Sequence, residues 1–203
     1  MHRVPMRSLF PIIVTIIAFG AVALERGGGT IQSSSVISAA NAAAADGALF
    51  TPVATVLRHP RCMNCHPRDD HPRQGDDRHV HQQNVVRGDD NLGFVNMRCT
   101  ACHREENNNY SGVPGAPSWH LAPVSMGWLG LSDADLCATL KDEDKNGGKT
   151  IAALVEHMSS DKLVLWGWAP GGKRAPVSTP HPQFVTELKA WAAAGAPCPV
   201  ASK

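Results

Sequence analysis

The chain carries Cys62-Met63-Asn64-Cys65-His66 and repeats the same pattern in Cys99-Thr100-Ala101-Cys102-His103. The pattern C-x-x-C-H is the attachment site of c-type haem, where the two thiols add across the two porphyrin vinyl groups. We therefore expect covalent attachment of two haem c groups at the four cysteines Cys62, Cys65, Cys99 and Cys102. The histidine that ends each motif is the expected proximal iron ligand, which assigns His66 and His103. Two covalent haems indicate electron transfer.

Two other interpretations of the cysteines compete with haem attachment. Two C-x-x-C pairs separated by 33 residues are also the outline of a four-cysteine zinc site. Such a site does not need a histidine after each pair, and the ten histidines of the chain fill only about one position in twenty. A thioredoxin-like redox pair would need a βαβ context, which neither motif has. The two histidines therefore favour haem.

The first residues of the chain resemble a secretory signal. Residues 1–24 join a basic start to an apolar stretch, and Ala21-Val22-Ala23 supplies an A-x-A cleavage pattern. Cleavage near Ala45 is an alternative, and so is an uncleaved membrane anchor. The apolar stretch holds about 16 residues, fewer than the roughly 20 of a membrane span, which favours cleavage. Each version predicts export to the periplasm, with a possible membrane tether through the N-terminus.

Residues 25–48 are rich in Gly, Ser and Ala and predict a flexible linker. Residues 49–203 then form one predicted domain that carries both motifs. The formal net charge of +1 gives no sign of a nucleic-acid partner. One Tyr and five Phe are few for such a domain, and two haems would supply further apolar surface.

The helix signals predict a mostly α, loop-rich fold, with several short helices packed around the two haems. The first helix is expected over Thr51–Arg58, with Thr51 as N-cap. Ser132 is expected to cap a helix that ends near Lys141, and Thr150 a second one. A last helix is expected over Pro182–Ala194, because its apolar residues follow helical spacing. Strand signals are sparse.

Two cysteines lie outside the motifs, Cys137 and Cys198. In an oxidising compartment, an even number of cysteines outside the motifs predicts a disulfide. Such a bridge would tie the last predicted helix to an earlier one. Two buried free thiols are the alternative.

The second axial ligand of each iron decides between an electron carrier and a site open to substrate. His81 lies far enough beyond His66 to cross the haem of the first motif. His157 borders the apolar stripe of its predicted helix, and His59 can reach only a neighbouring haem. The other candidates are His79, His120, His181, Met126 and Met158.

Arginines crowd the first motif and the charged loop after it. Their guanidinium groups suit the haem propionates, although interleaved Asp residues also allow a solvated loop of mixed charge. These arginines are Arg58, Arg61, Arg68, Arg73, Arg78 and Arg87.

The motif pair resembles small dihaem c-type cytochromes. Over residues 59–105 it is similar to the dihaem small subunit of periplasmic nitrate reductases, which implies two stacked haems with histidine on both faces. The wider chain is similar to exported bacterial proteins labelled isoquinoline 1-oxidoreductase subunits. That likeness rests on His59-Pro60-x-Cys62-x-x-Cys65-His66-Pro67, Gly112-x-Pro114-Gly115-Ala116-x-x-Trp119, Trp166-Gly167-Trp168 and Gly195-Ala196-Pro197-Cys198-Pro199. It implies a cytochrome partner of a molybdenum hydroxylase.

The expected function is therefore electron transfer between redox partner proteins, or with a membrane-bound quinol-linked complex. A small dihaem enzyme, peroxidase-like or a sulfur-compound dehydrogenase, is the alternative, and it requires one open iron. A structural or sensory haem module on a membrane complex is a third possibility.

Overall fold

The computed structural model describes residues 47–201, so the predicted signal segment and residues 25–46 of the predicted linker lie outside the described part. The fold is mostly helical and rich in loops, with four strands of two residues each. The helices are α1 Phe50–Leu57, α2 Pro60–Met63, α3 Cys99–Cys102, α4 Asp133–Lys141, α5 Ile151–Ser160, α6 Lys162–Leu165 and α7 His181–Ala193. Single 3₁₀ turns occupy Val124–Met126 and Trp166–Trp168.

The hydrophobic core lies among four helices. Helix α1 packs against α4 and α7, and α7 also packs against α5. Phe50 and Trp191 meet with ring centroids 5.4 Å apart, and both side chains are fully buried. Leu136, Leu140 and Leu188 are fully buried beside them. Apolar residues at helical spacing therefore form one contiguous core.

The predicted caps explain where two helices begin. The Ser132 hydroxyl accepts from the Asp135 amide at 3.1 Å, and the Thr150 hydroxyl accepts from the Ala153 amide at 3.2 Å. Both predictions are confirmed, and the last predicted helix is shifted by one residue. The Thr51 cap is wrong, because α1 already begins at Phe50. The Thr51 carbonyl accepts from the Thr55 hydroxyl at 3.0 Å, one turn further along the helix.

Two small antiparallel hairpins precede the second motif. In the first, β1 Arg73–Gln74 pairs with β2 His79–Val80. In the second, β3 Gly93–Phe94 pairs with β4 Met97–Arg98, and α3 follows at once. The loop after the first motif is therefore ordered by local pairing as well as by the contacts described next.

The buried Arg87 side chain connects this loop to neighbouring parts of the chain by hydrogen bonds. Its guanidinium donates to the carbonyls of Pro67, Asp69 and Ala122 and to the Asn91 side chain. The Arg87 guanidinium therefore connects three stretches of irregular chain. This network gives Arg87 a structural role, and its propionate role stays a prediction.

Cys137 and Cys198 form a disulfide, which confirms the predicted pairing. Cys137 lies in α4 and is fully buried. The bridge ties the segment after α7 to α4.

We expect Cys137→Ser with Cys198→Ser to lower the free energy of unfolding by about 2–4 kcal/mol. The bridge closes a loop of 61 residues, for which the chain-entropy relation gives about 4 kcal/mol. Urea unfolding with and without a reductant measures the change. Reductant should weaken the wild type and leave the double variant unchanged. Equal stability of the two proteins without reductant would contradict a stabilising role for the bridge.

None of the helices over residues 47–201 has the length and apolar character of a membrane span.

Candidate functional site

The first motif begins on a short helix with a defined start. Helix α2 opens with Pro60, and the His59 ring accepts from the Arg61 amide at 3.2 Å. The motif then turns out of the helix at Asn64, whose side chain donates to the Gly75 carbonyl at 3.0 Å. Cys62 and Cys65 border the same cavity as the motif histidine.

His66 is fixed by a backbone carbonyl and an indole. Its Nδ1 lies 2.7 Å from the Met126 carbonyl oxygen. The Trp128 ring stacks on the imidazole at 3.4 Å between centroids and 12° between planes. Burial lowers the pKa of His66 to about 3, so the ring is neutral. A neutral ring that donates from Nδ1 leaves the Nε2 lone pair for a metal.

The second motif repeats this arrangement. It occupies helix α3, and His103 Nδ1 lies 2.8 Å from the Pro114 carbonyl oxygen. The Trp119 ring stacks on His103 at 4.4 Å between centroids and 2° between planes. Burial lowers the pKa of His103, which keeps this ring neutral as well. Both motif histidines therefore present Nε2, in the way that a second-shell carbonyl orients a metal-bound histidine.

The four motif cysteines are free thiols in this structure. Burial raises the pKa of Cys62 to about 12 and that of Cys65 to about 11. Over residues 47–201, no three His, Cys, Asp or Glu side chains converge as metal ligands. The four-cysteine zinc interpretation has no assembled site in this part of the chain.

A cleft faces the first motif. Its volume is about 160 Å³. Leu57, Met126 and Leu154 make much of its wall apolar. The cleft therefore places an apolar wall beside Cys62, Cys65 and His66.

His157 and Met158 line this cleft from helix α5. His120, from a loop, also lines it. The Nδ1 of His157 faces the Asp161 carboxylate at 3.5 Å, which leaves Nε2 free. Burial lowers the pKa of His157, so its ring is neutral. His157 therefore has the orientation and protonation of a distal ligand for the first site.

His81 faces the second motif. The ring centroids of His81 and His103 are 6.2 Å apart, with 75° between planes. A nitrogen ligand lies about 2 Å from its metal and about 1 Å from its own ring centre, so two rings on opposite sides of one metal are roughly 6 Å apart. The observed separation of the His81 and His103 rings is close to that spacing. The structure thus places His81 beside the second motif histidine, and the expectation that it crosses the haem of the first motif stays a prediction.

His59 is the weakest of the three distal candidates. Because its Nδ1 accepts from the Arg61 amide, the proton of the neutral ring lies on Nε2, which cannot then bind a metal. His79 pairs with the Asp77 carboxylate at 2.6 Å. The His181 Nε2 lies 3.2 Å from the Met158 carbonyl oxygen. These three rings therefore have structural partners.

Most of the nearby arginines have other partners as well. Arg58 donates to Asp133 at 2.6 Å, and Arg73 pairs with Asp69. Arg61 pairs with Asp76, but its side chain is almost fully buried and also lines the cleft. Of the arginines with a described partner, Arg61 alone borders the cleft.

Sequence reasoning missed Trp119, Trp128 and the two acceptor carbonyls. A carbonyl has no sequence signature, and an isolated Trp outside a periodic element does not reveal its neighbour. No family model, curated protein or solved structure matches the chain.

Proposed function

We propose that this chain is an exported dihaem c-type cytochrome that passes electrons between redox partners in the periplasm. The observation that carries the proposal is the repeated arrangement at His66 and His103. In both, Nδ1 is held by a carbonyl and a Trp stacks on the ring. Surface histidines would not be expected to have the same orientation in two separate C-x-x-C-H motifs.

Each group of residues has a distinct part in this proposal. Cys62 and Cys65 hold one haem and Cys99 and Cys102 the other, with His66 and His103 as proximal ligands. A bound haem supplies one-electron chemistry at its iron. The carbonyls of Met126 and Pro114 keep the proton on Nδ1 of each ring, and the Trp side chains limit its rotation.

The distal ligands favour an electron carrier over an enzyme. His157 lines the first cleft, and His81 lies opposite His103. A second histidine at each iron would exclude water and substrate, whereas the enzyme alternative requires an open position. Electrons would pass to redox partner proteins or to a membrane-bound quinol-linked complex.

Two haem sites on one chain suit electron transfer within that chain. The second motif is the more accessible one, because Cys102 is exposed. An electron could therefore enter or leave at the second site.

Expression in a bacterium that matures c-type cytochromes tests this function. We expect the intact mass of the exported protein to equal the polypeptide plus two haems, with a sharp α-band after reduction. Cys99→Ser with Cys102→Ser should carry one haem, and Cys137→Ser with Cys198→Ser should carry two. An unmodified mass, or purified zinc protein, would overturn the proposal.

A further inference from the structure

Two buried N–H groups of the first cleft have no acceptor over residues 47–201. One is Nε1 of Trp128, whose side chain is only 2% exposed. The other is Nε of Arg61, which is 5% exposed. Both residues line the cleft beside Cys62 and Cys65. A buried donor without an acceptor costs about 1–3 kcal/mol, so two in one cleft point to a ligand that accepts hydrogen bonds.

The chemistry of the cleft narrows the ligand to an anion with an oxygen acceptor. Trp128 and Arg61 can only donate hydrogen bonds. Lys149 adds a cationic group to the wall, whereas the Asp161 carboxylate there faces His157. A carboxylate beside an otherwise apolar body satisfies both the donors and the wall.

Trp128 connects this acceptor site to the first motif. Its ring stacks on His66 at 3.4 Å between centroids, so the same residue contacts the motif histidine and carries the unpartnered N–H. The indole of Trp119 has the same relation to His103, but its side chain is only half-buried, and its Nε1 is not among the buried donors without an acceptor. The two stacked Trp residues therefore differ in whether the indole N–H needs a partner inside the protein.

We propose that the Trp128 Nε1–H and the Arg61 Nε–H donate to the propionate carboxylates of the haem at the first motif. This inference rests on the proposed function. It assigns Trp128 two roles, a stack that limits rotation of His66 and a hydrogen bond to the cofactor that His66 would bind. Arg61 remains paired with Asp76 through Nη2, which leaves Nε for the carboxylate.

The test compares Trp128→Phe with Trp119→Phe by resonance Raman spectroscopy. Phenylalanine keeps an aromatic ring beside the histidine but removes the N–H donor and one ring of the indole. Trp119→Phe makes the same change beside His103 and therefore controls for the lost ring. We expect Trp128→Phe to shift the propionate bending band of one haem toward the position of a free carboxylate. Trp119→Phe should leave both bands unchanged. Arg61→Lys, which keeps the charge and loses Nε, should produce a second shift.

A measurement on the wild type covers the case in which Trp128→Phe does not fold. With ¹⁵N-labelled indole in the reduced protein, we expect the N–H signal of Trp128 to be protected from deuterium exchange. An unshifted propionate band in Trp128→Phe, or rapid exchange of the wild-type Trp128 indole, would overturn this inference. Neither result affects the haem count by mass, so failure of the proposed function is recognised separately by a chain without haem.

Discussion

His81→Ala is expected to open one of the two irons to external ligands. The His81 ring faces His103 at 6.2 Å between centroids, and alanine leaves nothing in its place that can bind a metal. The wild-type protein should not bind carbon monoxide after reduction, whereas the variant should bind one molecule per chain. Electron paramagnetic resonance of the oxidised variant should show a high-spin signal from half of the haem.

His79→Ala is the matched control for this substitution. His79 is two residues away on the same hairpin, and its ring pairs with Asp77 rather than with the motif. The control should keep both irons low-spin and closed to carbon monoxide. If His81→Ala also keeps two low-spin irons at full haem content, His81 is not the ligand of the second site.

His157→Ala is expected to open the other iron. The ring lines the cleft of the first motif, and its Nδ1 lies 3.5 Å from the Asp161 carboxylate, so Nε2 is the nitrogen available to a metal. The same carbon monoxide and paramagnetic resonance measurements apply, again with one molecule bound per chain. The double variant His81→Ala with His157→Ala should bind two, because the two substitutions affect different irons.

His120→Ala controls for the other histidine of the cleft. Its Nδ1 lies 2.5 Å from the Ser118 carbonyl oxygen, and its side chain is exposed. It should leave the first iron closed. A wild-type spectrum typical of one His–Met pair, retained in His157→Ala, would instead assign the first site to Met158, the buried neighbour of His157.

Local chemistry made several features predictable from the sequence. At Ser132 and Thr150 the side-chain hydroxyl accepts from the backbone amide three residues later. This local pattern is sufficient to locate the start of a helix. The pairing of Cys137 with Cys198 followed from counting the cysteines outside the motifs. The assignment of the motif histidines as proximal ligands depends only on position within five residues, and it stays a prediction.

The features that sequence reasoning did not supply depend on contacts between distant parts of the chain. Met126 is 60 residues from His66, and what it contributes is a carbonyl that any residue possesses. The direction of His81 depends on how the loop folds back, which the spacing from His66 does not determine. Thr51 failed as a cap because the chain before it already has helical dihedral angles at Leu49.

The buried guanidinium of Arg87 limits how the loop between the first motif and Arg87 can vary in length. Surface loops generally tolerate insertions, because each added residue costs little closure entropy. Here the Arg87 guanidinium donates to the carbonyls of Pro67 and Asp69. The His81 amide donates to the Pro72 carbonyl at 3.0 Å. His81 follows β2 directly, so one residue added within the first hairpin would shift it relative to the Pro72 carbonyl that its amide contacts. Natural length variation is therefore expected after His81 and before Arg87, and not between the first motif and His81.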